Sequence, residues 1–150
     1  MEVSSVKKSV IAITFALGVV LVISVACGSK TESNPSVPAG KVVKAVPVGN
    51  LTATLANDSG VLKRGNQELT ISFTDASGKL VEVGAVSLNF HMDQMGTMAA
   101  MNDSATFTTT NAPGAYRGKV DIEVGGEWQA QLAYEGSAGK GKTTFSVPVQ

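Results

Sequence analysis

The chain holds 150 residues but only one cysteine, one histidine and one tryptophan. With Cys27 alone, no intramolecular disulfide can form. Catalysis has little to work with. One imidazole supports no legible set of nucleophile, base and orienting group, and no hydrolytic zinc triad. No catalytic residue is assigned, and the chain is read as a non-enzyme. Charge is balanced, with 12 basic and 12 acidic residues, which indicates neither a nucleic-acid footprint nor a strongly acidic partner surface. Aromatics make up 5% of the chain, and after residue 27 no stretch has a convincing helical period. Glycine (16 residues), threonine, serine and valine are common instead, a mix that favours strands and turns.

The N-terminal part has its own logic. Lys7 and Lys8 precede a run from Val10 to Ala26 that is apolar apart from Thr14 and Ser24. This is the pattern of an export signal. Ser24-Val25-Ala26-Cys27 resembles a bacterial lipobox, in which the cysteine is lipidated and becomes the new N-terminus. An uncleaved N-terminal anchor is the alternative, with an apolar run slightly short for a full span. Either reading puts residue 28 onward outside the cytoplasm, on the periplasmic or cell-surface side, tethered to a membrane. The expected organisation is a signal peptide over 1–27 with Cys27 as lipidation site, a flexible linker over 28–49 and a folded domain over 50–150. The linker assignment rests on its Ser, Asn, Lys and Glu content, on Pro35, Pro38 and Pro47, and on the lack of apolar periodicity.

From Asn50 onward apolar and polar residues alternate. Leu51, Ala53 and Leu55 form one set, Leu69, Ile71 and Phe73 the next, then Val86, Leu88, Phe90 and Met92. A weaker set runs through Ala105, Phe107 and Thr109. Tyr116 to Val124, Trp128 to Tyr134 and Thr143 to Val149 complete the pattern. Turn signals separate them: Asn57-Asp58-Ser59-Gly60, Asp75-Ala76-Ser77-Gly78, Gly125-Gly126 and Gly136-Ser137-Ala138-Gly139. Period-2 patterning with turns every ten or so residues predicts an all-β antiparallel sandwich of about seven strands.

One window concentrates the chemistry. His91, Met92, Met95, Met98 and Met101 lie within eleven residues and include every imidazole and every thioether except that of Met1. Thioether sulfur is soft and neutral, with no proton to lose. It suits Cu(I), and silver by the same chemistry, and offers little to zinc, magnesium or calcium. Three of Met95, Met98, Met101 and His91 would complete a trigonal Cu(I) site. Strand alternation assigns Met92 to the core and turns His91 to the opposite face, so Met95 and Met98 lead the candidate ligands, followed by Met101 and His91, with Met92 last. Methionines also pack, and Met101 would equally anchor the loop to the sandwich.

Several motifs then line up in order. Arg64-Gly65-Asn66 precedes the first long alternating strand. Asp75-Ala76-Ser77-Gly78-Lys79 is followed by Gly84-Ala85-Val86, then by Met92-Asp93-Gln94-Met95-Gly96, Gly114-Ala115-Tyr116-Arg117-Gly118 and Gly126-Glu127-Trp128. In this order and spacing the segment from Leu62 to Val149 resembles the YtkA-like/FixH-like family of exported β-sandwich domains. The resemblance implies an immunoglobulin-like fold and proximity to copper handling, with a copper transporter or an oxidase-assembly system as partner. The family turn resembles Met-Pro-x-Met-Gly-His. Here Asp93 stands for the proline and Thr97 for the histidine, so the resemblance carries over the methionines and not that histidine.

Other signals are structural. Gly136 to Thr143 matches a P-loop string, but the chain continues as a strand where a phosphate-binding helix must begin, so no nucleotide is expected. Trp128 and Tyr116 read as core or corner residues, Asp93 and Asp103 as solvated loop carboxylates. The sequence thus points to an extracytoplasmic, membrane-tethered Cu(I) carrier or buffer in copper delivery or resistance. The alternative is a non-metal accessory module that binds a membrane partner through its methionine-rich loop.

Overall fold

The alternating segments pair into eight antiparallel strands in a computed structural model that describes residues 40–150. These are β1 (Lys41–Val48), β2 (Leu51–Asn57), β3 (Gly65–Thr74), β4 (Ala85–Met92), β5 (Met101–Thr109), β6 (Ala115–Ile122), β7 (Gly126–Gly136) and β8 (Gly139–Val149). No helix occurs among the described residues, and so none long and apolar enough to cross a membrane. The export signal, Cys27 and residues 28–39 of the expected linker lie outside the described residues.

The strands form one hydrogen-bonded sheet in the order β1-β2-β3-β6-β5-β4-β7-β8. The sheet folds over until β1 comes against β8, with a parallel bridge between Leu62 and Val149 beside this seam. The result is a nearly closed sandwich, as the alternation predicts. Its inward faces carry Leu55, Leu69, Ile71, Phe73, Leu88, Phe90, Val120, Ile122, Trp128 and Leu132, all buried. Among the described residues, those buried in the core all fall between Val46 and Val149.

The aromatics take the structural places expected of them. Trp128 is fully buried and donates its indole N–H to the Val124 carbonyl at 3.1 Å. The Tyr116 hydroxyl accepts the Val83 and Gly84 N–H groups at 3.0 and 3.1 Å, which pins the segment leading into β4. The P-loop string lies on the β7–β8 hairpin, where Gly136 pairs with Gly139 around a two-residue turn and Lys142 sits in a strand.

One boundary differs from the sequence reading. Residues 41–48, placed in the linker, form β1, with Val46 and Val48 buried. Two features hide this strand. Its pairing with β2 shifts between Val42 and Lys44, which breaks the period-2 pattern. Pro47 reads as a strand breaker, yet β1 borders the sheet, where a missing N–H costs no ladder bond. The other border strand, β8, likewise carries a proline, Pro148.

Register assigns the ends of the strands. Lys41 pairs with Asn57, Gly65 with Ile122, Met92 with Met101 and Gly126 with Val149. These residues therefore share one end of the sandwich, and the methionine turn projects from it. At that end β5 separates from β6. Pairing between them covers only Thr106 to Thr109, so Met101 to Ala105 are paired to β4 alone. The β5 side of the β4–β5 hairpin is consequently free of β6 at this end, while β4 stays paired to β7 as far as His91.

Candidate metal site

The site follows from the register of one hairpin. His91 pairs with Asn102 and Met92 with Met101 without a bulge. In the same register Met95 pairs with Met98, closed by two backbone bonds: Met95 N–H to the Met98 carbonyl at 3.2 Å and Met98 N–H to the Met95 carbonyl at 3.0 Å. Gly96 and Thr97 make the two-residue turn between them. Gly96 has φ of 60°, a left-handed value that a side chain at the first turn position resists. The methionine spacing is thus symmetric about Gly96-Thr97, giving two opposed pairs, Met92 with Met101 and Met95 with Met98.

The two pairs have different surroundings. Met92 is 5% exposed, and its methyl would stand 3.0 Å from a Cβ built on Gly126. Met101 is half-buried and packs against the core beside it. Met95 and Met98 are 58% and 42% exposed, among the few large apolar side chains the domain leaves in solvent. Residues directly opposite in an antiparallel pair project to the same side with Cβ atoms about 5 Å apart. Two thioethers are therefore presented together at the tip.

His91 lies on the outer face of β4. Its Nδ1 is 2.7 Å from Oδ1 of Asn102 and its Nε2 is 3.1 Å from Oδ1 of Asp93. Both partners accept, so the doubly protonated ring is favoured. Asn102 first, then Asp93, hold its pKa above the usual histidine value. Met95 is four residues further on, about 13 Å along an extended strand. Metal ligation by His91 needs a neutral ring and the release of one of its two partners. Of the five candidate ligands, the fold brings Met95 and Met98 together in solvent, draws Met92 and Met101 to the inner face, and holds His91 on the outer face in other bonds.

Two features escaped the sequence. One is Asn102, whose position opposite His91 appears only once the turn is centred on Gly96-Thr97. The other is Asp103, read as a solvated loop carboxylate. It sits in β5, and its Oδ2 is buried with no hydrogen-bond partner. Around these groups the charge is one-sided: no Lys or Arg occurs between Lys79 and Arg117, while Glu82, Asp93 and Asp103 do. Among the described residues no three His, Cys, Asp or Glu side chains group as a hard-donor site. The concentrated donors are thioethers.

A family model described as YtkA-like matches residues 46–133, more than half of the chain. No curated protein matches the sequence. A solved structure titled ZirS C-terminal Domain is similar at 14% identity and a TM-score of 0.43, covering 99% of this chain and 97% of that one.

Proposed function

The chain belongs to the YtkA-like family, and from that premise we propose that it is an extracytoplasmic Cu(I) carrier or buffer acting in copper delivery or resistance. Lipidation at Cys27 tethers it to the membrane, where a copper transporter or an oxidase-assembly system is the partner. The observation that carries this reading is the Met95–Met98 pair, two thioethers bridged face to face and left in solvent at a hairpin tip. Packing does not explain their exposure, and soft monovalent copper is the cargo that neutral sulfur donors select. No Lys or Arg stands along the hairpin to repel a cation at its tip. An open site at the end of the domain favours release by ligand exchange.

Anaerobic titration with Cu(I) against a colorimetric chelator tests the reading. The native domain competes for the metal, and the Met95→Ala/Met98→Ala double variant loses that competition while keeping its fold. Equal behaviour of the two proteins rejects it.

The second reading is an accessory module that docks the tip on a membrane partner without metal. What favours it is that Met101 and Met92 belong to the core side, leaving an exposed tip with only two sulfurs. Unchanged copper competition in the double variant, with loss of a membrane-bound complex, would select it.

A further inference from the structure

The tip holds too few donors for the ion it is suited to. Cu(I) held by neutral thioethers, which donate more weakly than thiolates, needs three or four of them, and the hairpin presents two. Met92 and Met101 cannot be added, because they face inward and one of them is buried. His91 is bound through both ring nitrogens and begins about 13 Å along the strand from Met95. The tip is also built to be approached. Gln94 to Asn102 carries no charge, and every residue from Asp93 to Ala100 is exposed. The residues at its apex, Gly96 and Thr97, are small.

We propose that each chain supplies half of a Cu(I) site and that a second copy of the same chain supplies the other half. Met95 and Met98 of two tips then surround one ion with four thioethers about a two-fold axis, the isologous arrangement in which one surface serves both partners. The uncharged apex allows the approach without like-charge repulsion. Because each ligand is a neutral sulfur, replacing one copy by another donor of the same class proceeds one bond at a time. The inference rests on the Cu(I) reading above.

The test uses residues 33–150, a compact unit that holds every core residue among those described. The domain is titrated anaerobically with Cu(I), and in parallel with Ag(I) as a redox-silent substitute. Methionine methyl NMR and sedimentation are followed together. The expected result is an endpoint near one ion per two chains, a doubling of mass, and shifts of the Met95 and Met98 methyls while Met92 and Met101 hold still. The His91→Ala variant reaches the same endpoint. An endpoint of one ion per chain at monomer mass, with Met95 and Met98 shifting, overturns the shared site and leaves the Cu(I) reading standing. So does loss of binding in His91→Ala. No methyl shift with either ion rejects the Cu(I) reading itself.

Discussion

Asn102 stands opposite His91 in the β4–β5 ladder and accepts the Nδ1 side of its ring at 2.7 Å, on the face away from the core. With Asp93 on the other nitrogen, the charged ring is favoured, so the folded-state pKa lies above the unfolded one. The stability this provides is complete below the unfolded histidine value, about 6.5, and is lost as pH rises through the raised folded value. The urea midpoint is therefore expected to fall across that window, and His91→Gln to flatten the fall. NMR titration of the imidazole gives the direct check. A midpoint at or below that of an unfolded peptide, or one unmoved by Asn102→Ala, contradicts the assignment.

Met95 and Met98 carry little stability. Both are exposed at a turn, so replacing both with alanine should shift unfolding by no more than about 0.5 kcal/mol, as for surface sites generally. Copper competition should disappear in the same protein. A large loss of stability would show that the tip packs against something essential.

Met92 should behave in the opposite way. It is buried beside Gly126, and Met92→Ala leaves a cavity worth about 2–4 kcal/mol in denaturant unfolding. Met92→Leu should cost less than about 1.5 kcal/mol. Neither change should move copper affinity in protein that remains folded, and a change in affinity would place Met92 among the ligands.

Asp103 presents a buried carboxylate oxygen with no partner. Removing it with a strand-favouring residue, Asp103→Val, should raise stability by about 1 kcal/mol at neutral pH, since an unsatisfied buried acceptor costs roughly that much or more. A urea midpoint that falls instead means that the oxygen is satisfied in solution.

Gly114 closes the approach to β6. Its φ is 84°, and an added Cβ would lie 2.7 Å from the Val81 carbonyl oxygen. Its own carbonyl accepts the Phe73 N–H at 2.9 Å. Gly114→Ala should therefore destabilise the domain by about 2 kcal/mol or more. Near-neutral unfolding would show that the turn adjusts without cost.

The strands facing the core were legible because burial imposes a period of two. Leu88, Phe90 and Met92 alternate with Asn89 and His91, and the fold buries the first set alone. β1 was not legible, because its bulge puts Val42 and Val43 out of phase and Pro47 mimics a breaker. The methionine window was visible as composition, while its geometry was not. Which residues oppose each other depends on the centre of the turn, and a shift by one residue exchanges every partner. Fixed at Gly96-Thr97, the turn pairs Met95 with Met98 and His91 with Asn102. Asp103 looked solvated because carboxylates usually are. Its position opposite Phe90 follows from the same register.

Pro47 and Pro148 lie in the two border strands, which also carry Lys41, Lys44, Lys140 and Lys142. Each proline deletes a donor from a border strand of the sheet, and the lysines discourage edge-to-edge stacking there further. Open sheet edges invite fibrous growth wherever copies of a chain are concentrated. Here the two border strands are blunted, so the proposed pairing of two hairpin tips is not drawn on along those borders into a strand-by-strand filament.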